Sequence, residues 1–130
     1  MSVKKIAVAV GFILIILLAG CTRGSFITIK SHENNTPTSM AMSYEKFSGF
    51  KSKTISLDEP SDVSVVISTE SGSFDLSIID KDGNSYYEGT DIPSSSFRVS
   101  LDKQGKYEIT VTADNHKGSY DISWDKTDVT

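Results

Sequence analysis

Cysteine is all but missing from this 130-residue chain, which has Cys21 and no other. A lone thiol cannot close a disulfide or build a cysteine-based metal site, so the fold must be held by its hydrophobic core. Histidine is almost as scarce. His32 and His116 are the only two, and any Ser-His-Asp hydrolase would have to draw its base from them. Gly-x-Ser-x-Gly, His-Glu-x-x-His and phosphate-cradling glycine motifs do not occur. Positive charge is in deficit, with 13 Lys plus Arg against 17 Asp plus Glu. Without Lys/Arg clusters to neutralise phosphates, nucleic acid is excluded as a partner, and no polybasic patch is evident to hold the chain flat on anionic lipid. Sustained 3.6-residue periodicity is also absent after residue 21, which argues against a helical fold.

The first 21 residues carry the clearest pattern. Lys4 and Lys5 precede Ile6 to Ala19, an uncharged run of 14 residues, and small Gly20 stands just before Cys21. The run is shorter than the roughly 20 residues needed to cross a bilayer core. Basic, apolar and small residues in this order resemble the bacterial lipoprotein signal peptide, with Leu18-Ala19-Gly20-Cys21 as its lipobox. The resemblance implies cleavage before Cys21 and a diacylglyceryl lipid of the palmitate type on its sulfur. Two buried acyl chains hold a protein stably on a membrane where one binds reversibly. The expected location is therefore the extracytoplasmic side of the cell membrane, anchored by lipid.

Residues 1–20 read as signal peptide, 21–39 as lipidated cysteine and flexible tether, and 40–130 as the folded domain. The tether assignment rests on the polar cluster Ser31 to Ser39, although Phe26 to Ile29 has strand-like residues that could add an edge strand. Beyond residue 40 the period is two. Ile55 and Leu57, then Val63, Val65 and Ile67, then Phe74, Leu76 and Ile78 alternate with polar residues, as do Phe97, Val99 and Leu101. Tyr107 to Ala113 and Tyr120 to Trp124 continue the pattern, which places Trp124 in the core. Short alternating runs separated by Gly72, Asp82-Gly83-Asn84, Pro93, Gly105 and Gly118 predict an all-β, antiparallel sandwich with one buried face per strand. The last two runs are expected to pair as a C-terminal hairpin. Met40, Met42 and Tyr44 share one parity and Phe47 has the other, which indicates a bulged strand or a helical turn.

Residues 50 to 124 resemble the jelly-roll or prepeptidase C-terminal type of β-sandwich. The likeness lies in Thr69 to Phe74, Asp80-Lys81-Asp82-Gly83, Gly105 to Val111 and Lys117 to Ile122. That family implies an accessory module, beside a catalytic domain in most of its members.

Three groups of residues merit weighing as sites. Asp80, Asp82 and Asn84 place oxygens as the opening of a calcium loop does, but Ser85 and Asp91 stand where that loop needs glycine and glutamate, so a hairpin turn is the better reading and no metal is expected. Tyr86 and Tyr87 are adjacent, so in a regular strand one points outward, where it could stack on a sugar or anchor a protein. His116 lies in what reads as an exposed turn, remote from any orienting acid. Together these predict a non-enzymatic, cofactor-free binding module at the cell envelope, taking a glycan or protein ligand, with membrane lipid as its other partner through Cys21. The alternatives are a structural or inhibitory accessory subunit of an envelope complex and, third, a small envelope hydrolase.

Overall fold

The computed structural model describes residues 22–124. Cys21 and the signal segment lie outside them. Seven antiparallel strands and no helix make up the described residues: β1 (Thr22–Ile29), β2 (His32–Glu33), β3 (Ser39–Leu57), β4 (Ser61–Asp80), β5 (Ser85–Gly89), β6 (Ser95–Leu101) and β7 (Gly105–Trp124). Three of them, β3, β4 and β7, are about 20 residues long and form the centre of the sheet.

Each long strand serves both layers of the sandwich. In one layer, β2, the first part of β3, the end of β7, the first part of β4 and β6 pair in that order. The other layer runs β1, the second part of β3, the start of β7, the second part of β4 and β5. The register shifts where the layers meet, between Tyr44 and Gly49 in β3 and between Thr69 and Ser73 in β4.

These irregularities account for the parity of the sequence. Buried side chains fall on even positions from Met40 to Tyr44 and on odd ones at Phe47, Ile55 and Leu57. In β4 they move from odd (Val63, Val65, Ile67) to even (Phe74, Leu76, Ile78), and in β7 from odd (Tyr107 to Ala113) to even (His116 to Trp124). A bulge adds one unpaired residue, bends the strand and resets the alternation, so the apolar face stays on the inside as the sheet folds over. Phe74 of one layer then meets Tyr120 of the other with ring centroids 5.5 Å apart. Trp124 is buried as expected.

Two expectations are corrected here. The last two apolar runs do not form a hairpin, because Gly105–Trp124 is one strand, and Gly72 likewise lies inside a strand. Gly72 and Gly118 have φ of +79° and +149°, and both are pressed against neighbouring backbone, Gly118 on the Ser68 carbonyl. They let the strand bend where a reverse turn had been inferred. The second correction concerns 22–39. Thr22 to Ile29 pairs residue by residue with Lys53 to Lys46, and His32–Glu33 pairs with Ser43 and Met42, so the folded domain starts at Thr22. An edge strand needs backbone partners on one side and little side-chain burial, which is why its polar composition imitates a tether.

Gly118→Ala should destabilise the fold by about 3 kcal/mol, from backbone strain together with collision against Ser68. Gly83 also has positive φ but faces open space, so Gly83→Ala should cost about 1 kcal/mol. In thermal melts the first variant should fall by about 12 °C and the second by about 4 °C. Equal shifts would contradict the bend assigned to Gly118.

Candidate functional site

His116 is fully buried, contrary to the exposed turn inferred from its Asp-Asn-His-Lys-Gly surroundings. Its Nδ1 lies 2.7 Å from the Tyr44 hydroxyl and its Nε2 lies 2.8 Å from Thr69 Oγ1. Thr69 Oγ1 in turn donates to the Ile92 carbonyl at 3.3 Å. A consistent chain runs from Tyr44 O–H to Nδ1, and from Nε2–H through Thr69 to Ile92, with a neutral imidazole. The ring also packs against Phe74 and Tyr44, with centroids 5.0 and 5.5 Å away. Burial holds its pKa below the ordinary histidine value and pushes the Tyr44 and Tyr120 phenols well above theirs. Both ring nitrogens are engaged and neither faces a serine or a carboxylate, so this arrangement braces the bends and has no route to substrate. His32 is exposed in β2.

The turn 80–85 is a hairpin between β4 and β5. Asp80 Oδ1 accepts from the Asp82 and Asn84 backbone N–H groups at 2.9 and 2.8 Å, and Oδ2 accepts from the Asn84 side-chain amide at 3.0 Å. These hydrogen bonds hold the Asp80 carboxyl below its usual pKa. Its oxygens are committed to the turn.

Tyr86 and Tyr87 depart from the expected one-in, one-out arrangement, since both are half-buried. The register jumps from Ile78↔Tyr87 to Ile79↔Ser85, which leaves Tyr86 as the extra residue of a bulge. Tyr86 therefore turns edge-on to Tyr107, 5.2 Å between centroids, while Tyr87 stacks near Phe97 at 5.0 Å. Through these ring contacts they join β5 to its surroundings.

A polar cleft lies elsewhere, at the end of the layer that contains β6. It has a volume of about 890 Å³ and is lined by Glu59, Pro60, Ser61, Asp62 and Ser64, by Arg98, Ser100, Leu101 and Asp102, and by Ser123 and Trp124. Pairing explains the convergence: Ser64 sits between Arg98 of β6 and Ser123 of β7, and Asp62 lies opposite Ser100. These are the outward positions of strands whose inward residues are Val63, Val65, Val99 and Ile122. Arg98 and Asp62, both exposed, stand 3.8 Å apart. Trp124 and Leu101 supply an apolar floor.

Sequence reading overlooked this cleft because its residues come from three segments, 59–64, 98–102 and 123–124, that are far apart in the chain. The available signal was weak: Ser on the outward positions 64, 100 and 123, and Arg98 as one of only two arginines. Among the described residues, no cluster of three His, Cys, Asp or Glu side chains could hold a metal ion.

No family model matches the chain, and neither does any curated protein. Among solved structures the chain is similar to TmCBM61 in complex with β-1,4-galactotriose, at 14% identity and TM-score 0.42 over 81% of this chain and 83% of that one. It is also similar to the secreted serine protease VesC from Vibrio cholerae (11% identity, TM-score 0.45, 87% of this chain and 26% of that one). A third is the enzymatically active domain of bacteriophage CBA120 tailspike protein 4 (12% identity, TM-score 0.44, 78% and 18%). The chain spans about a quarter or less of the protease and tailspike chains. The likeness is one of strand arrangement.

Stability should fall on mild acidification through His116. Its folded pKa is depressed, so the unfolded chain takes up the proton first; the contribution is complete above about pH 6.5 and is lost as pH falls from there through the lowered value. The Asp80 contribution is lost only lower, as pH drops below about 4. Melting temperatures measured from pH 7.5 to 5 should decline in the native chain, and His116→Gln should be less stable throughout but lack that decline. An unchanged pH profile in the variant would remove His116 as the source.

Proposed function

We propose that this protein is a lipid-anchored, non-catalytic binding module on the extracytoplasmic face of the membrane, and that it takes a glycan in the cleft beside β6. The observation that carries the reading is the cleft lining: a guanidinium, three carboxylates and four serine hydroxyls around an apolar floor. Sugars offer dense arrays of hydroxyls that both donate and accept, and charged planar groups bind them through paired, charge-assisted hydrogen bonds. Arg98 would donate to adjacent sugar oxygens while Asp62 and Asp102 accept from sugar hydroxyls. The locked state of His116 supports a non-catalytic role, since the one histidine with organised partners is spent on the fold. The lipobox-like Leu18 to Cys21 supports the anchor.

Titration of the protein with soluble envelope polysaccharides and peptidoglycan fragments should give saturable binding. Arg98→Ala and Asp62→Ala should each weaken it at least tenfold, about 1.4 kcal/mol, with melting temperature nearly unchanged because both side chains are exposed. Thr112→Ala, exposed on the other layer, should bind as the native chain does. Binding that ignores Arg98 and Asp62, or no binding to any glycan, would reject the cleft as a sugar site.

The anchor has its own test. Cys21→Ser removes the sulfur that would carry the diacylglyceryl group, so membrane fractionation should find the variant unprocessed or soluble. A variant that is cleaved and still partitions into detergent would show that Cys21 is not the anchor.

A further inference from the structure

We infer that the β1 edge, with the adjoining part of β3, is a membrane-contact surface that seats the domain directly on anionic lipid headgroups. The inference rests on the anchor reading of Cys21 and adds an orientation to it. Four large apolar side chains are exposed among the described residues, and three of them, Phe26, Ile27 and Ile29, lie on β1. Ile27 is 70% exposed. β1 ends the order of its layer, so one side of its backbone has no strand partner among the described residues. Such an edge invites a companion.

The position of the edge in the chain selects the companion. Thr22 begins β1 and directly follows Cys21, so no free linker separates the lipid attachment from the sheet. At about 3.3 Å per residue, Ile27 stands within roughly 20 Å of the acylated sulfur. Charge agrees. Residues 22–57 hold Arg23, Lys30, Lys46, Lys51 and Lys53 against Glu33 and Glu45, a formal +3, whereas residues 58–130 hold six basic and fifteen acidic residues, a formal −9. The net negative charge of the whole chain therefore conceals a basic β1–β3 segment and an acidic remainder. Lys51 is buried and paired with Glu33, so the attraction to an anionic surface falls on the other basic residues of this segment, which turns it toward the lipid. A second copy paired on this edge would instead bring like charges together.

Depth follows from the backbone. Unpaired N–H and C=O groups cannot enter hydrocarbon without hydrogen bonds, so β1 stays at headgroup level, where water and phosphate oxygens serve them, while Ile27 and Ile29 dip toward the acyl boundary. The sugar-type cleft lies beside β6, in the other layer from β1 and next to β4, whereas β1 lies next to β3.

The sole cysteine supplies the test. With Cys21 acylated, the full-length protein has no free thiol, and Ile27→Cys introduces one at an exposed position. Labelled there with an environment-sensitive fluorophore and reconstituted in phosphatidylglycerol/phosphatidylcholine vesicles, the protein should show blue-shifted emission quenched by brominated lipid. The same label on Val66→Cys, exposed in the other layer, should report water. The shift at residue 27 should shrink in pure phosphatidylcholine and in 1 M salt, where the Debye length falls to about 3 Å. Two outcomes overturn the inference: a residue-27 label as wet as the residue-66 label on anchored protein, or shielding without lipid that grows with protein concentration, which would assign the edge to a second copy. Failure of the anchor reading itself is distinguishable, because unmodified Cys21 would then titrate as a free thiol in the native chain.

Discussion

The fold depends on holding three bends in register, and His116 is where they are held. Tyr44 lies at the bend of β3, Thr69 at the bend of β4, and His116 at the bend of β7. Two hydrogen bonds from one imidazole join all three, inside a group of rings that includes Phe47, Phe74 and Tyr120. A buried polar network of this kind is stable only when its members are paired, and the neutral ring pairs with both neighbours. The sheet can then fold onto itself with its backbone ladder nearly continuous.

That construction determines where ligand-facing groups can stand. Because each long strand runs through both layers, the apolar alternation has to reset at the bend, and the polar positions reset with it. The outward residues of β4, β6 and β7 converge at one end as Asp62, Ser64, Arg98, Ser100 and Ser123, over the buried row that ends in Trp124. Arg98 and Asp62 can serve a ligand because the core does not need them. His116 cannot, because the core has taken it.

The proposed anchor and the proposed cleft adjoin different layers, β1 beside β3 in one and β6 beside β4 in the other. A lipid at Cys21 with no intervening linker would make the orientation of the sandwich part of its function. The uneven charge along the chain would act in the same direction: the basic segment adjoins the proposed attachment point, and the acidic remainder, cleft included, would be repelled from an anionic surface.

Alternation by itself determined the class of fold, the inward residues of nearly every strand and the burial of Trp124, because a half-buried strand must alternate whatever its partners are. It also marked a break after Tyr44, where the parity of Met40 and Met42 gives way to that of Phe47, but left a bulge and a helical turn open; strand pairing decided for the bulge. The hairpin at Asp80 to Ser85 was legible too, since an Asp side chain two residues ahead of a backbone N–H makes that turn locally. Tertiary structure alone decided whether Gly72 and Gly118 reverse the chain or bend it, because positive φ permits both and only neighbouring ladders choose. Tertiary structure also decided that Thr22 to Ile29 is an edge strand, that His116 is interior and that Tyr86 sits in a bulge. The first two depend on partners far along the chain and the third on the register with β4, and the cleft depends on three segments that meet only through strand pairing that no local pattern encodes.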